Sequence, residues 1–228
     1  MSKKWLKVAL MVTAIATSTS IQVDAETVLF VPQDDRPVSL QYTVDTAKAA
    51  GMTVLTPPQN LISGKTYKGQ ADQIWNWVEQ NAGRADVMVL STDTLIYGGL
   101  VDSRKHNLPL STLEYRLKRI EALKANYKNT RIYGFGTVMR SPRASGGGTE
   151  PSYYADYGPT IFQIAALQDK LDAGTLTQAE TQKLMSLQAS VPVEYLQDWF
   201  SRRQKNMQIN KGLIDEARKG VFEYFALG

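Results

Sequence analysis

Two kinds of hydrophobic pattern take turns along this chain. Short continuous apolar runs rich in β-branched residues are separated by longer stretches in which apolar residues return every three or four positions. The first pattern is that of a strand buried on both faces, the second that of an amphipathic helix. Thr27–Val31 (TVLFV) is the first strand-like run. Residues 38–50 predict a helix, ended by Gly51,. Residues 52–55 predict a second strand, stopped by Pro57 and Pro58. A helix over 71–82 carries Ile74, Trp75 and Val78 on one side, and ADVMVL at 85–90 reads as the third strand. Ser111-Thr112-Leu113-Glu114 has capping-box spacing and opens a helix with Leu113, Leu117, Ile120 and Leu123 on one stripe,. TRIYGF at 130–135 is the fourth strand.

This β-α-β-α-β-α-β order predicts an α/β fold of parallel β/α units, because repeated crossovers put strands side by side in one direction with helices outside. An open doubly wound sheet and a partial (β/α)-barrel both satisfy the pattern. From Tyr153 the character changes. Residues 161–171 look helical and Gly174 ends them; Thr177-Gln178-Ala179-Glu180 is a second capping box, and 193–219 form a long helical pattern anchored by Trp199, Leu213 and Ile214,. Residues of about 151–219 therefore read as a helical insertion after the fourth strand. Gly220 breaks the last helix, and VFEYFAL at 221–227 reads as a fifth strand. In parallel α/β folds the loop after a strand usually carries part of the site. Residues 26–228 are accordingly expected to be a truncated α/β domain.

The N-terminus predicts export. Lys3, Lys4 and Lys7 form a positive region, residues 8–16 (VALMVTAIA) a short apolar run, and Val23-Asp24-Ala25 a small-residue cleavage site,. Residues 1–25 read as a signal peptide. The apolar run falls well short of the roughly 20 residues of a membrane span, so no membrane span is expected after cleavage. The destination is extracytoplasmic, secreted or in the cell envelope. Of 26 basic and 22 acidic residues, the leader holds three lysines and Asp24, which leaves 23 against 21. That near balance, with no basic run interleaved with aromatics, argues against nucleic acid as a partner. With no cysteine, disulfides, thiol catalysis and cysteine metal sites are excluded, and with one histidine any imidazole chemistry must use His106,. His106 lies in the polar stretch SRKHN and reads as a surface residue.

Polar clusters follow the first, third and fourth strands: Gln33-Asp34-Asp35-Arg36-Pro37; Ser91-Thr92-Asp93-Thr94 with Tyr97-Gly98-Gly99 and Asp102-Ser103-Arg104; and Met139-Arg140-Ser141-Pro142-Arg143. Parallel strands end at one edge of their sheet, so these loops should share the edge where such folds bind ligands. Asp34, Asp35 and Asp93 are the candidate catalytic carboxylates. Asp35 also suits a helix N-cap, with Pro37 near the first helical position, and Asp93 suits a turn that caps its own loop. Arg36, Arg104 and Arg140 are candidates for holding an anionic group, although arginines at such places are often surface ion pairs. Tyr97 could stack on a sugar ring. Gly146-Gly147-Gly148 lacks the following Lys-Ser/Thr of a phosphate loop and reads as a hinge,. Trp75, Trp77, Trp199 and Phe200 read as core.

VPQDDRPVS at 31–39 and DTLIYGGLVDSR at 93–104 resemble segments of a bacterial family labelled domain of unknown function 4127. The resemblance implies that the chain is the N-terminal portion of a longer protein. It marks Asp34, Asp35, Arg36, Tyr97, Gly98, Gly99 and Arg104 as motif positions and assigns none of them a role.

The leading expectation is an exported, hydrolase-like protein acting on a small polar, carbohydrate or cell-wall-derived ligand. Paired carboxylates hydrolyse glycosides without cysteine, histidine or cofactor; Asp34 or Asp35 with Asp93 supply the pair, and Arg36, Tyr97 and Arg140 position the ligand. A non-catalytic exported ligand-binding protein and an inactive fragment are the alternatives. No cofactor is expected, with a carboxylate-lined divalent metal site kept as a variant.

Overall fold

The computed structural model describes residues 25–144 and 147–228; the signal-peptide expectation rests on residues 1–24, outside the described residues. Five strands, β1 (Thr27–Val31), β2 (Thr53–Leu55), β3 (Val87–Ser91), β4 (Arg131–Gly136) and β5 (Tyr224–Leu227), form one sheet in the order β2-β1-β3-β4-β5. Every pairing is parallel, with Thr27 opposite Thr53, Val28 opposite Val87, Val87 opposite Arg131 and Tyr133 opposite Tyr224. Among the described residues β2 and β5 are open edges. The sheet is therefore the open form and not a closed barrel, which corrects the barrel half of the expectation. Closure needs the two edge strands to pair, and here they sit at opposite ends of the sheet.

Among the described residues eight α-helices accompany it: α1 (Gln41–Ala49), α2 (Ala71–Asn81), α3 (Thr92–Tyr97), α4 (Leu100–Lys105), α5 (Leu110–Asn126), α6 (Tyr154–Asp172), α7 (Gln178–Ala189) and α8 (Val193–Arg218). The chain moves outward from β1 to β2, then reverses to reach β3 on the other side of β1. Right-handed crossovers made in opposite directions place their helices on opposite faces. So α1 packs through Val44 near Val28, Phe30 and Val87, while α2, α5 and α8 cover the other face, where Ile74, Trp75, Leu113, Ile120, Ile209 and Leu213 meet Leu29, Met88, Leu90 and Ile132. Each fully buried Leu or Ile there contributes about 1.5–3 kcal/mol. The α1 face is less covered: Val89, Tyr133 and Phe135 are only partly buried.

The insertion has its own core, in which Tyr154, Ile161, Ile164, Leu184 and Trp199 pack together. Helix α8, 26 residues long, belongs to both cores. Its first half carries Trp199 into the insertion, and its second half lays Ile209 and Leu213 on the sheet.

Some local expectations shift. The box at Thr177 forms with both reciprocal hydrogen bonds. The box at Ser111 does not, because the N-cap of α5 is Pro109, two residues earlier, with no side-chain cap. Helix α1 starts at Gln41 with Leu40 at its N-cap, so Asp35 caps nothing. Strand β5 starts at Tyr224, three residues later than the apolar run suggests. Trp75 and Trp199 are fully buried, as expected of core. His106 is also buried, at 6% exposure, which corrects its surface reading.

Candidate functional site

In an open parallel sheet, a crevice forms where neighbouring strands send their crossovers in opposite directions. Here that point lies beyond the carboxyl ends of β1 and β3. Asp34, Asp93 and Arg140 follow β1, β3 and β4, three adjacent parallel strands, and so stand at one edge.

Asp93 ties the loops together. Its Oδ2 accepts from Gln33 Nε2 of the β1 loop at 3.0 Å and from Thr137 Oγ1 of the β4 loop at 2.9 Å. The residue lies in the first turn of α3, a short helix capped by Ser91 Oγ, where the sequence suggested a loop. Asp93 is 2% exposed. Burial lifts its pKa to about 6, against the opposing hydrogen bonds from Gln33 and Thr137 and the charge of Arg104,. Thr94 Oγ1 fastens the same helix to the β1 loop by donating to Pro32 O at 2.6 Å.

The other carboxylates have different partners. Asp34, 4% exposed, takes Arg36 Nε at 2.8 Å and Arg36 Nη2 at 2.7 Å, and the Arg36 backbone N–H at 3.2 Å. The hydrogen bond to Asp34 raises the pKa of Arg36. Asp35 hydrogen-bonds the Tyr67 hydroxyl, and its backbone N–H donates to Ser63 O at 2.9 Å. The three candidate carboxylates are thus each engaged separately.

The arginines converge. Arg104 Nη1 lies 4.0 Å from Glu150 Oε1, and Arg140 donates to the same oxygen through Nη2 at 2.7 Å. Burial chiefly, then repulsion from Arg140, lowers the pKa of Arg104; Glu150 and Asp93 act the other way, and Arg36 adds to the repulsion. Arg104 on α4 therefore feels the guanidinium groups of both the β4 loop and the β1 loop. Arg36 and Arg140 have about half their side chains in solvent, at 51% and 47%, whereas Arg104 has 13%.

Tyr97, Gly98 and Gly99 lie beneath this rim. All three are buried. Tyr97 stacks on His106, with ring centroids 5.0 Å apart, and its buried hydroxyl has no protein partner. Burial, then the charge of Asp93, raises the Tyr97 pKa. The Tyr97 ring is thus taken by His106, and no face of it is laid out for a sugar. Gly98 and Gly99 have φ of +108° and +158°. A Cβ on Gly99 would overlap Ser63 Oγ, and one on Gly98 would crowd Gly69 O at 3.0 Å. The two motif glycines are therefore needed where the 61–70 segment crosses them, a packing task.

Glu150, Gln33 and Thr137 were not among the residues singled out for function. Thr137 directly follows β4, so the edge argument that found Asp93 reaches it too. Glu150 had no local signal; it stands at the start of the insertion and comes to the arginines only through the fold. Among the described residues no group of three or more His, Asp or Glu is placed to hold a metal ion, and no helix is long and apolar enough to cross a membrane.

A family model described as "Protein of unknown function (DUF4127)" matches residues 28–228. No curated protein and no solved structure matches.

Proposed function

The chain belongs to the DUF4127 family, and since that description assigns no activity, we propose from the site itself that this protein binds a small polar ligand through an acidic group held by Arg36, Arg104 and Arg140. One observation carries the reading: Arg104 and Arg140 converge on one oxygen of Glu150 at the switch point of a parallel sheet, and burial first, then the charges of Arg140 and Arg36, disfavours the charged form of Arg104. Like charges brought together at a cost are relieved by an anion. Arg36 and Arg140 keep about half of each side chain in solvent, and a guanidinium grips carboxylate or phosphate through two parallel hydrogen bonds. Asp34 and Glu150 offset part of the positive charge and hold the arginines in place before the ligand arrives.

We infer from residues 1–25 that the site works outside the cytoplasm, where acidic carbohydrates and cell-wall fragments are the natural small polar ligands. Calorimetric titration with acidic and neutral sugars of equal size tests the reading. The acidic sugar should bind and the neutral one should not, with Arg104→Ala removing the difference. Equal binding of both, or of neither, overturns it.

A hydrolytic reading is favoured by Asp93, whose pKa of about 6 suits proton exchange near neutral pH,. A glycosidase needs a second carboxylate within roughly 10 Å, and of the two candidates on the β1 loop Asp34 is held by Arg36 and Asp35 by the Tyr67 hydroxyl. Turnover of a labelled oligosaccharide, lost in Asp93→Asn, is the result that would favour hydrolysis over binding alone.

A further inference from the structure

Helix α4 carries Arg104 and is only six residues long. The last four carbonyls of any helix lack donors within it, so in so short a helix most carbonyls look elsewhere. Several at and just beyond its end find donors on α8, about a hundred residues away. Asn206 Nδ2 donates to Ser103 O at 2.8 Å, Arg202 Nε to His106 O at 2.7 Å, and Lys205 Nζ to Leu108 O at 2.9 Å. The first two brackets fall on either side of Arg104. A side-chain bond closes the seam: His106 Nε2 and Asn206 Oδ1 are 2.8 Å apart. Because the Asn206 amide nitrogen is spent on Ser103, its oxygen is the acceptor and the imidazole is the donor. Burial, opposed by that hydrogen bond, holds the His106 pKa down at about 4, so the ring is neutral. Ser103, His106, Arg202 and Asn206 are all buried. Arg202 is itself anchored to Asp198 at 2.5 Å, and Asp198 to the Tyr153 hydroxyl at 2.5 Å, which reaches the insertion's core.

We propose that α8 is the positioning element of the arginine rim, acting through Asn206, Arg202 and His106 on the helix that carries Arg104, so that the insertion and the binding edge work as one unit. This rests on the reading of Arg104 as a ligand-holding group. A buried carbonyl left without its donor costs more than the bond it loses. If α8 withdraws, Ser103 O and His106 O must find water, and α4 with Arg104 must move to let it in. Asn206, Arg202 and His106 are therefore positioning residues, and the pose of the insertion sets the affinity of the rim.

The side-chain Nε–H resonance of Arg104 in the ¹⁵N-labelled full chain, assigned by its loss in Arg104→Lys, reads the positioning directly; inorganic phosphate is the binding probe. In Asn206→Leu and His106→Leu the Arg104 Nε–H should exchange with water at least about tenfold faster and phosphate should bind about tenfold more weakly, the effect of roughly one lost hydrogen bond. The Arg36 Nε–H should not change. His106→Gln keeps a side-chain N–H at similar reach and should restore both readings. If Asn206→Leu does not fold, the smaller Asn206→Ala also removes the donor to Ser103 without adding a charge, and the same Arg104 change is expected. A folded Asn206 variant with unchanged Arg104 exchange overturns the proposal. If the wild-type chain takes no phosphate, the ligand reading falls alone, since Arg104 exchange still decides whether α8 positions it.

Discussion

Gln33 and Asp93, sixty residues apart, meet through a 3.0 Å hydrogen bond that joins the β1 loop to the first turn of α3 across the sheet's switch point. Thr137 completes the join from the β4 side. The carboxylate that organises three loops is also the one whose protonation is shifted most usefully, and both follow from its burial.

That shift makes stability depend on pH. The pKa of Asp93 is about 6 in the folded chain, above the ordinary carboxylate value. The native state therefore holds this proton more tightly than the unfolded state. The stabilisation is fully present below about pH 4, where both states are protonated, and is lost as pH rises through about 6. Asp93→Asn removes the titration. Urea unfolding of the two proteins should show the difference widening from pH 4 to pH 7 in favour of the variant, by on the order of 2 kcal/mol. Parallel curves across that range would show that Asp93 is charged throughout.

Arg104 and Arg140 share Glu150 Oε1, so their substitutions should not be equivalent. Arg104→Ala removes the shielded member and should abolish anion binding. Arg140→Ala removes a half-exposed one and should weaken binding about tenfold, with a shallower dependence on salt, since exposed charges are the ones salt screens. Titrations with inorganic phosphate at two ionic strengths check this.

Gly99 has no room for a side chain. Alanine there meets Ser63 Oγ and a positive φ together. Gly99→Ala should cost about 2 kcal/mol or more in urea unfolding. Adding Ser63→Gly should recover only part of it, because the backbone conformation is still strained.

Export has a direct test. Expressed with its own N-terminus in a secreting bacterial host, the chain should appear outside the cytoplasm with a new N-terminus near Glu26. Mass spectrometry of the recovered protein reads the cleavage point, and an intact Met1 on cytoplasmic protein would refute the prediction.

The strand and helix order was legible because burial on both faces demands unbroken apolar runs, and TVLFV and VMVL supply them without ambiguity. The shared edge was legible for the same reason: strands of one direction end together, so Asp34, Asp93 and Arg140 follow strands that end at that edge. His106 shows where this reasoning stops. Its neighbours Ser103, Arg104, Lys105 and Asn107 are polar, and local polarity says surface; α8 turns that segment inward by giving its carbonyls their donors. Glu150 was hidden for a similar reason, since its partners Arg140 and Arg104 are ten and forty-six positions away.

By itself, the sequence determined the α/β alternation, the direction of the strands, the insertion and the edge at which polar loops collect, because these depend on periodicity and on one rule of chain connection. Tertiary structure alone decided that the sheet stays open, which carboxylate pairs with which donor, and which arginines share one carboxylate. Those outcomes depend on distances between groups far apart in the chain, and burial, charge and hydrogen bonding are set by such distances and not by order along the backbone.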